Sequence, residues 1–445
     1  VVCICALGLS AAAPGLAAQQ AGRIAYDTYA LPNGLRVVFS EDHSTPIVTV
    51  NVWYHVGSAN ERVRRSGFAH LFEHMMFQGS AHVRKAEHFQ LVERAGGEMN
   101  GSTNEDRTNY FQTLPSNRLN LGLWLEADRM RSLVINQENF ENQRQAVKEE
   151  RRLRINNQPY ARIVQEGFTL PFDSSTCFAY AHTVIGDMAD LDSARVSDVQ
   201  AFFNQYYTPG NAVLTVVGDF DPAEARRLIE RYFGDIPGRP AAPDPTCESG
   251  YGAGARRLDA TDDNANLPAV VLVYKVPPRR DGDVPALDLL TSMLGQGESS
   301  RLNRRLVREE RAALGTGAFG LMRRGPGVLL FFGIANQDVP ASRLEELMVQ
   351  EVDRMRGDSL AEPELAKAKN QYRAGAIRAR QTTMGIAEAL QTALRYFGDL
   401  EIVNTELERY MSVTTADVRR VAQRYLAPEN RLTIVVNPPQ GRGSN

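Results

Sequence analysis

VSDVQAFFNQYYTPGNAVLTVV at residues 196–217 and TADVRRVAQRYLAPENRLTIVV at residues 415–436 are one pattern written twice. Each reads as helix, Tyr, Pro, Asn and strand. Asp198, Val199, Tyr206, Pro209 and Asn211 stand 219 positions before Asp417, Val418, Tyr425, Pro428 and Asn430. A register held over this length argues for a duplicated domain. The chain has 445 residues, too many for one ordinary core, so two halves are the natural division. Residues 236–266, rich in Pro, Gly, Ala and Asp, are expected to be the linker. That leaves domains at 23–235 and 267–437 and a tail at 438–445.

The halves differ in chemistry, because all seven histidines fall before residue 183. Two of them sit in His70-Leu71-Phe72-Glu73-His74. At about 100° per residue, a helix puts His70, Glu73 and His74 on one narrow face. Phe68, Leu71, Phe72, Met75 and Met76 then form the opposite, apolar face. Two imidazoles one turn apart with a carboxylate between them suit a zinc pair with a general base, in the reversed order of the zincin motif. A surface helix that happens to carry two histidines is the plain alternative, and it leaves three titratable groups beside a greasy anchor with nothing to bind. The helix is expected to stop at Gly79.

Ahead of the motif, Tyr29-Ala30-Leu31, the turn Pro32-Asn33-Gly34 and Leu35 to Phe39 predict a hairpin, and residues 47–56 predict a buried strand. After it, 86–95 reads as a helix closed by Gly96-Gly97. Residues 108–114 alternate as a strand with one side exposed. An open edge beside a metal site is a natural holder for an extended peptide. Residues 119–133 and 139–156 read as helices, and the second offers Glu149 and Glu150 as a third ligand. Its inward face is set by Phe140, Ala146, Val147 and Leu153. Glu150 shares that face, whereas Glu149 reaches solvent. A buried partner for Glu150 follows, either zinc or an Arg of this Arg-rich helix.

Composition excludes some partners. With 43% hydrophobic and 23% charged residues and a net charge of −3, neither nucleic acid nor a polybasic membrane contact is favoured. No stretch of the mature chain is long and apolar enough to span a bilayer. Residues 1–18 (VVCICALGLSAAAPGLAA) read as an apolar run into small residues, expected to be the remainder of a signal peptide. Export to a bacterial periplasm or to the outside follows. Cys3 and Cys5 would leave with it, while Cys177 and Cys247 can pair in an oxidising compartment if the fold brings them close.

HLFEHMMFQG at 70–79, GGEMNGSTNEDRTNYF at 96–111, AVKEERR at 146–152 and YYTPGNAVLTVVGDF at 206–220 together resemble the insulinase/pitrilysin clan of zinc peptidases, nearest to its shorter bacterial and processing-peptidase-like members. The resemblance covers essentially the whole mature chain. It implies an α+β fold of two tandem α/β sandwich domains, each an antiparallel sheet with helices, closing as a clamshell on peptides and unstructured segments. In that family the third ligand lies about 75 residues beyond the second His, as Glu150 does here. The resemblance therefore implies one Zn2+ per chain held by His70, His74 and Glu150, with Glu73 as general base. It also implies that Asn100, Gly101 and Thr103 lie along the substrate backbone. The family's second half carries a substrate-binding Arg followed by a Tyr. Arg308 matches the Arg, but Thr316 stands near the Tyr position. A homo- or heterodimer with a non-zinc homologue that completes this clamp is therefore expected. The competing reading is a non-catalytic, peptide-binding or structural subunit of a hetero-oligomer.

Overall fold

The computed structural model describes residues 22–250, 255–357 and 360–439. The 1–18 stretch and residues 440–445 of the expected tail lie outside the described residues. Two open sheets carry the fold. The first is built from β1 (Asp27–Ala30), β2 (Arg36–Glu41), β3 (Ile47–Tyr54), β4 (Glu98–Thr103), β5 (Thr108–Pro115) and β6 (Ala212–Gly218), in the order β1-β2-β6-β3-β5-β4. The second holds β7 (Arg256–Thr261), β8 (Ala269–Val276), β9 (Ala313–Leu321), β10 (Gly327–Ala335) and β11 (Arg431–Asn437), in the order β7-β11-β8-β10-β9. Neighbours are antiparallel except β2 with β6 and β7 with β11. The Pro32-Asn33-Gly34 turn joins β1 to β2 as the sequence predicts.

The repeat survives as geometry. Helices Val196–Tyr206 and Thr415–Tyr425, turns Pro209–Asn211 and Pro428–Asn430, and strands β6 and β11 all sit 219 positions apart. The repeated Asn has one job in both copies. Asn211 Nδ2 donates to the Tyr206 carbonyl at 2.9 Å, and Asn430 Nδ2 to the Tyr425 carbonyl at 2.7 Å. Each amide satisfies a carbonyl that the helix end leaves without an intrahelical partner.

β6 and β8 are buried along their whole lengths, and β3 is buried at all but its first residue. A sheet read as a continuous apolar run needs cover on both faces. One face of each sheet packs on helices of its own half. The other face takes a helix from the opposite half. Helix Thr383–Thr392 lays Ile386, Ala387 and Leu390 on Val38, Val213 and Val217 of the first sheet. In return, Ile163 of helix Ala161–Gly167 packs against Val271, Val273, Leu330 and Ile434 of the second. The exchange ties the halves into one body.

Four expectations change. The motif helix, Phe68–Met75, ends before Gly79, which takes φ 103° in the turn beyond. Ala146 is exposed on the regular helix Gln137–Arg151, and Leu153 is 55% exposed because that helix widens into a π-helix over Arg152–Asn156. The extra residue in that turn rotates Ile155 inward instead. β5 has no exposed residue, since helix Leu119–Ser132 covers one side and Glu388 reaches Asn109 on the other. Residues 256–261 form a polar, exposed edge strand. Such a strand has the composition of a linker, because one edge and much of its surface face water.

Candidate metal centre

The motif helix is fixed at its start. Gly67 takes φ 86°, and a side chain there would press within 2.8 Å of the Ile185 carbonyl. The buried Glu61 carboxylate accepts from the backbone N–H groups of Gly67 and Ala69, at 2.8 and 2.7 Å. Phe72 anchors the far side among Phe202, Phe203 and Tyr207. Phe68, Leu71, Phe72, Met75 and Met76 are all buried, so the polar face is the one left to point at the cavity.

On that face the His70 and His74 rings meet edge-on with centroids 4.9 Å apart. Glu150 arrives from helix Gln137–Arg151, whose Phe140 and Val147 are locked in the core. Its Oε2 lies 3.6 Å from His70 Nε2 and 3.4 Å from His74 Nε2. One donor atom from each of the three residues falls within 4.8 Å of the others, the one such cluster of His, Cys, Asp and Glu among the described residues. Ligands about 2.1 Å from a tetrahedral ion stand about 3.4 Å apart, close to the two distances from Glu150 to the histidines. Arg154 Nη1 holds the other Glu150 oxygen at 2.8 Å. The arginine expected beside Glu150 is therefore present, and the same carboxylate faces both histidines.

Burial, with His74 adding to it, pushes His70 down to about 4, which leaves it a neutral ligand at neutral pH. The hydrogen bond with His74 holds Glu150 below the usual carboxylate range against the opposing effect of burial. His74 is raised, because Glu150 and Glu73 together outweigh its burial. Because a metal ligand must be deprotonated, metal binding here would be coupled to proton release. Gln143, two turns before Glu150, also helps to raise His74. Burial raises Glu73 despite the hydrogen bond that Thr103 donates to it, Oγ1 to Oε2 at 2.6 Å.

These groups open into a cavity of about 650 Å³. Asn100, Gly101, Ser102 and Thr103 of β4, the outermost strand of its sheet, form one wall. Residues 182–185 form another, and Leu321 and Arg323 close it from the second half. Arg308 does not join them. It lies, exposed, on the π-helix Asn303–Glu309 with Nη2 2.7 Å from Glu298. Of the groups sequence reasoning missed, Gln143 was detectable, since it stands seven residues before Glu150 and so on the same helix face. His182 and Arg323 reach the cavity only through the fold and carry no local pattern. A shift of 219 positions places Leu289, Ser292, Met293 and Lys369 where His70, Glu73, His74 and Glu150 stand, so the duplicate half lacks the donor set.

Residues 36–167 match the family described as "Insulinase (Peptidase family M16)", and residues 193–372 the one described as "Peptidase M16 inactive domain". A Helicobacter pylori protein named "Zinc protease PqqE" is 30% identical over 416 residues, covering 93% of each chain. "Probable mitochondrial-processing peptidase subunit beta, mitochondrial" of Arabidopsis thaliana is 25% identical over 431 residues, 92% of this chain and 78% of that one. A solved structure titled "The crystal structure of a protease from Helicobacter pylori" aligns with TM-score 0.88 at 30% identity, covering 94% of this chain and 100% of the other.

Proposed function

The chain belongs to the insulinase family of peptidases, M16, and from that premise we propose that it is an exported zinc endopeptidase acting on peptides and unstructured protein segments. The observation that carries the reading is the single Glu150 oxygen facing both His70 and His74. His70, His74 and Glu150 would hold the ion. Zinc so held supplies a Lewis acid and lowers the pKa of a bound water to about 7. Glu73 would act as general base toward the attacking water and would then hand the proton to the departing amine nitrogen. Thr103, donating to one Glu73 oxygen, would leave the other for proton transfer. Asn100, Gly101 and Thr103 present the backbone edge on which an extended substrate lies as an added strand.

The Cys177–Cys247 disulfide supports export, since such bonds persist in oxidising compartments. No described helix is long and apolar enough to cross a membrane. A non-zinc homologue as dimer partner remains part of the proposal, because Arg308 is engaged by Glu298 and Thr316 stands near the family's Tyr position. The test is metal content measured beside turnover of a mixed peptide library, with and without chelator, for the chain alone and with such a homologue. One equivalent of zinc and chelator-sensitive cleavage are expected. Peptide capture with zinc but no cleavage in either preparation would establish the non-catalytic subunit instead.

A further inference from the structure

The two oxygens of Glu150 are engaged separately. Oε2 lies 3.6 Å from His70 Nε2 and 3.4 Å from His74 Nε2, while Oε1 lies 2.8 Å from Arg154 Nη1. One carboxylate is thus divided between a donor cluster and a cation. The pair is unlike its neighbour on the same stretch of chain. Glu149 and Arg152 meet at 3.0 Å with side chains 57% and 43% exposed, the kind of surface contact that contributes little. Arg154 is also exposed, but the Glu150 side chain is only 18% exposed, so the carboxylate end of this pair is less screened by water.

The local fold aims Arg154 at Glu150. At about 100° per residue an unbroken α-helix would set Arg154 about 40° past Glu150. The helix widens instead, and the Asn157 N–H donates to the Arg152 carbonyl, five residues back, at 2.9 Å. A wider turn rotates less per residue and returns Arg154 over the carboxylate. Two contacts pin this turn. Ile155 is buried on its inner side, and Asn264 Nδ2, from the loop after β7, donates to the Asn156 carbonyl at 2.8 Å.

We infer that Arg154 is a positioning residue that restrains Glu150 to a single oxygen toward the ion, so that one coordination position stays unfilled by protein. The inference rests on the zinc peptidase reading above. A carboxylate with both oxygens free can grip a cation through one or both. Three single-atom ligands leave a tetrahedral ion one open position, which distinguishes a catalytic site from a closed structural one. A second Glu150 oxygen would compete for that position. The guanidinium opposes this, because it stays charged at any working pH and offers Oε1 a donor on a rigid, planar group.

The experiment compares the full chain as wild type and as Arg154→Met, each loaded once with Co2+ and once with zinc. Met keeps an unbranched apolar stem and removes the charge at a site 75% exposed, where substitution does not threaten the fold. Visible absorption of the cobalt form reports coordination, since four-coordinate Co2+ absorbs more strongly than five-coordinate. Arg154→Met should still bind one equivalent of metal, with weakened cobalt bands. X-ray absorption of its zinc form should show the carboxylate carbon drawn closer to the metal. Its kcat should fall about 10- to 100-fold, the range for partners that orient metal ligands. Identical cobalt spectra in the two proteins overturn the inference, whatever happens to turnover. Loss of the ion from Arg154→Met also overturns it, since the arginine would then serve affinity rather than restraint. The spectra are taken without substrate and so separate the two ideas. A spectral difference in a protein that cleaves no peptide sinks the peptidase reading and leaves the role of Arg154 standing, whereas wild-type cleavage with identical spectra sinks that role alone.

Discussion

Thr103 Oγ1 donates to Glu73 Oε2 at 2.6 Å, joining the outermost strand of the first sheet to the helix that carries the histidines. The bond favours the ionised carboxylate, while burial pushes Glu73 the other way. A carboxylate held between these two effects fits the proton-transfer role proposed for it. Glu73→Gln should lower turnover by about 10²- to 10⁴-fold while zinc content stays near one equivalent. Thr103→Val removes one hydrogen bond and should cost about tenfold in kcat. Single-turnover kinetics with metal analysis of each variant decides the matter, and substantial cleavage by Glu73→Gln rules out its role as base.

Glu150 is the hinge of the donor set, since it alone touches both rings and Arg154. Glu150→Ala should lose the ion and leave Arg154 without its carboxylate partner. A ligand at 100 times its dissociation constant adds about 2.7 kcal/mol to stability. Chelator should therefore lower the Tm of the wild type and leave that of Glu150→Ala where it is. Equal shifts in both proteins would place the metal elsewhere.

His182 is flanked by acceptors on both ring nitrogens. Nδ1 faces the Phe178 carbonyl at 2.7 Å, and Nε2 faces the Ser58 carbonyl and Glu61 Oε2, each at 3.0 Å. Only an imidazolium satisfies both sides, and His182 is accordingly raised: Glu61 and the two carbonyls overcome its burial. Breaking such a buried pair from one side costs about 3–5 kcal/mol. Glu61→Gln should destabilise by that order, and the double variant Glu61→Gln with His182→Gln by less than the sum. Additive losses in urea melts would mean that the two groups do not act together.

Much of this was legible in the sequence, and the limits have physical reasons. The repeat and the motif are local patterns, and both specify backbone geometry directly. Glu150 was found by helical phase even though Leu153 was misplaced, because the π-turn begins only after residue 151. β7 looked like linker because an exposed edge strand is polar. The exchanged helices could not be seen, since the apolar face of 383–392 does not encode which sheet it covers. His182 and Arg323 reach the site through long-range packing and leave no spacing to read.

Acid stability tests the buried histidines. Burial, with Arg395, Arg324 and Arg36 adding, lowers His55 to about 3, and burial with Arg129 takes His88 well below its usual value. In the unfolded chain both titrate near 6.5. Below that pH the unfolded state binds protons that the folded state refuses, so stability falls with pH from about 6.5 toward 3 for His55. The slope is about 1.4 kcal/mol per pH unit per group. Metal-free protein should therefore show lower urea midpoints at pH 5.5 than at pH 7, and His55→Gln should flatten the decline. An equal decline in the variant would remove His55 from the account.

The exchanged helices make a claim about the two halves as objects. Without helix Thr383–Thr392, the first half would expose Val38, Val213 and Val217, and Ile386 and Leu390 would lose their seat. Glu388 Oε1, which accepts from Asn51, Trp53 and Asn109, would leave three side-chain donors facing water or nothing. At about 1.5–3 kcal/mol for each buried aliphatic side chain, the loss is on the order of ten kcal/mol. That equals the whole stability of an ordinary domain, about 5–15 kcal/mol. The second sheet faces the same loss without Ile163 and its neighbours. Residues 22–250 and 255–445 expressed apart should each fail to melt cooperatively, and expressed together they should co-purify as one folded species. A cooperative transition in either piece alone, near the Tm of the intact chain, would show that the exchange adds little.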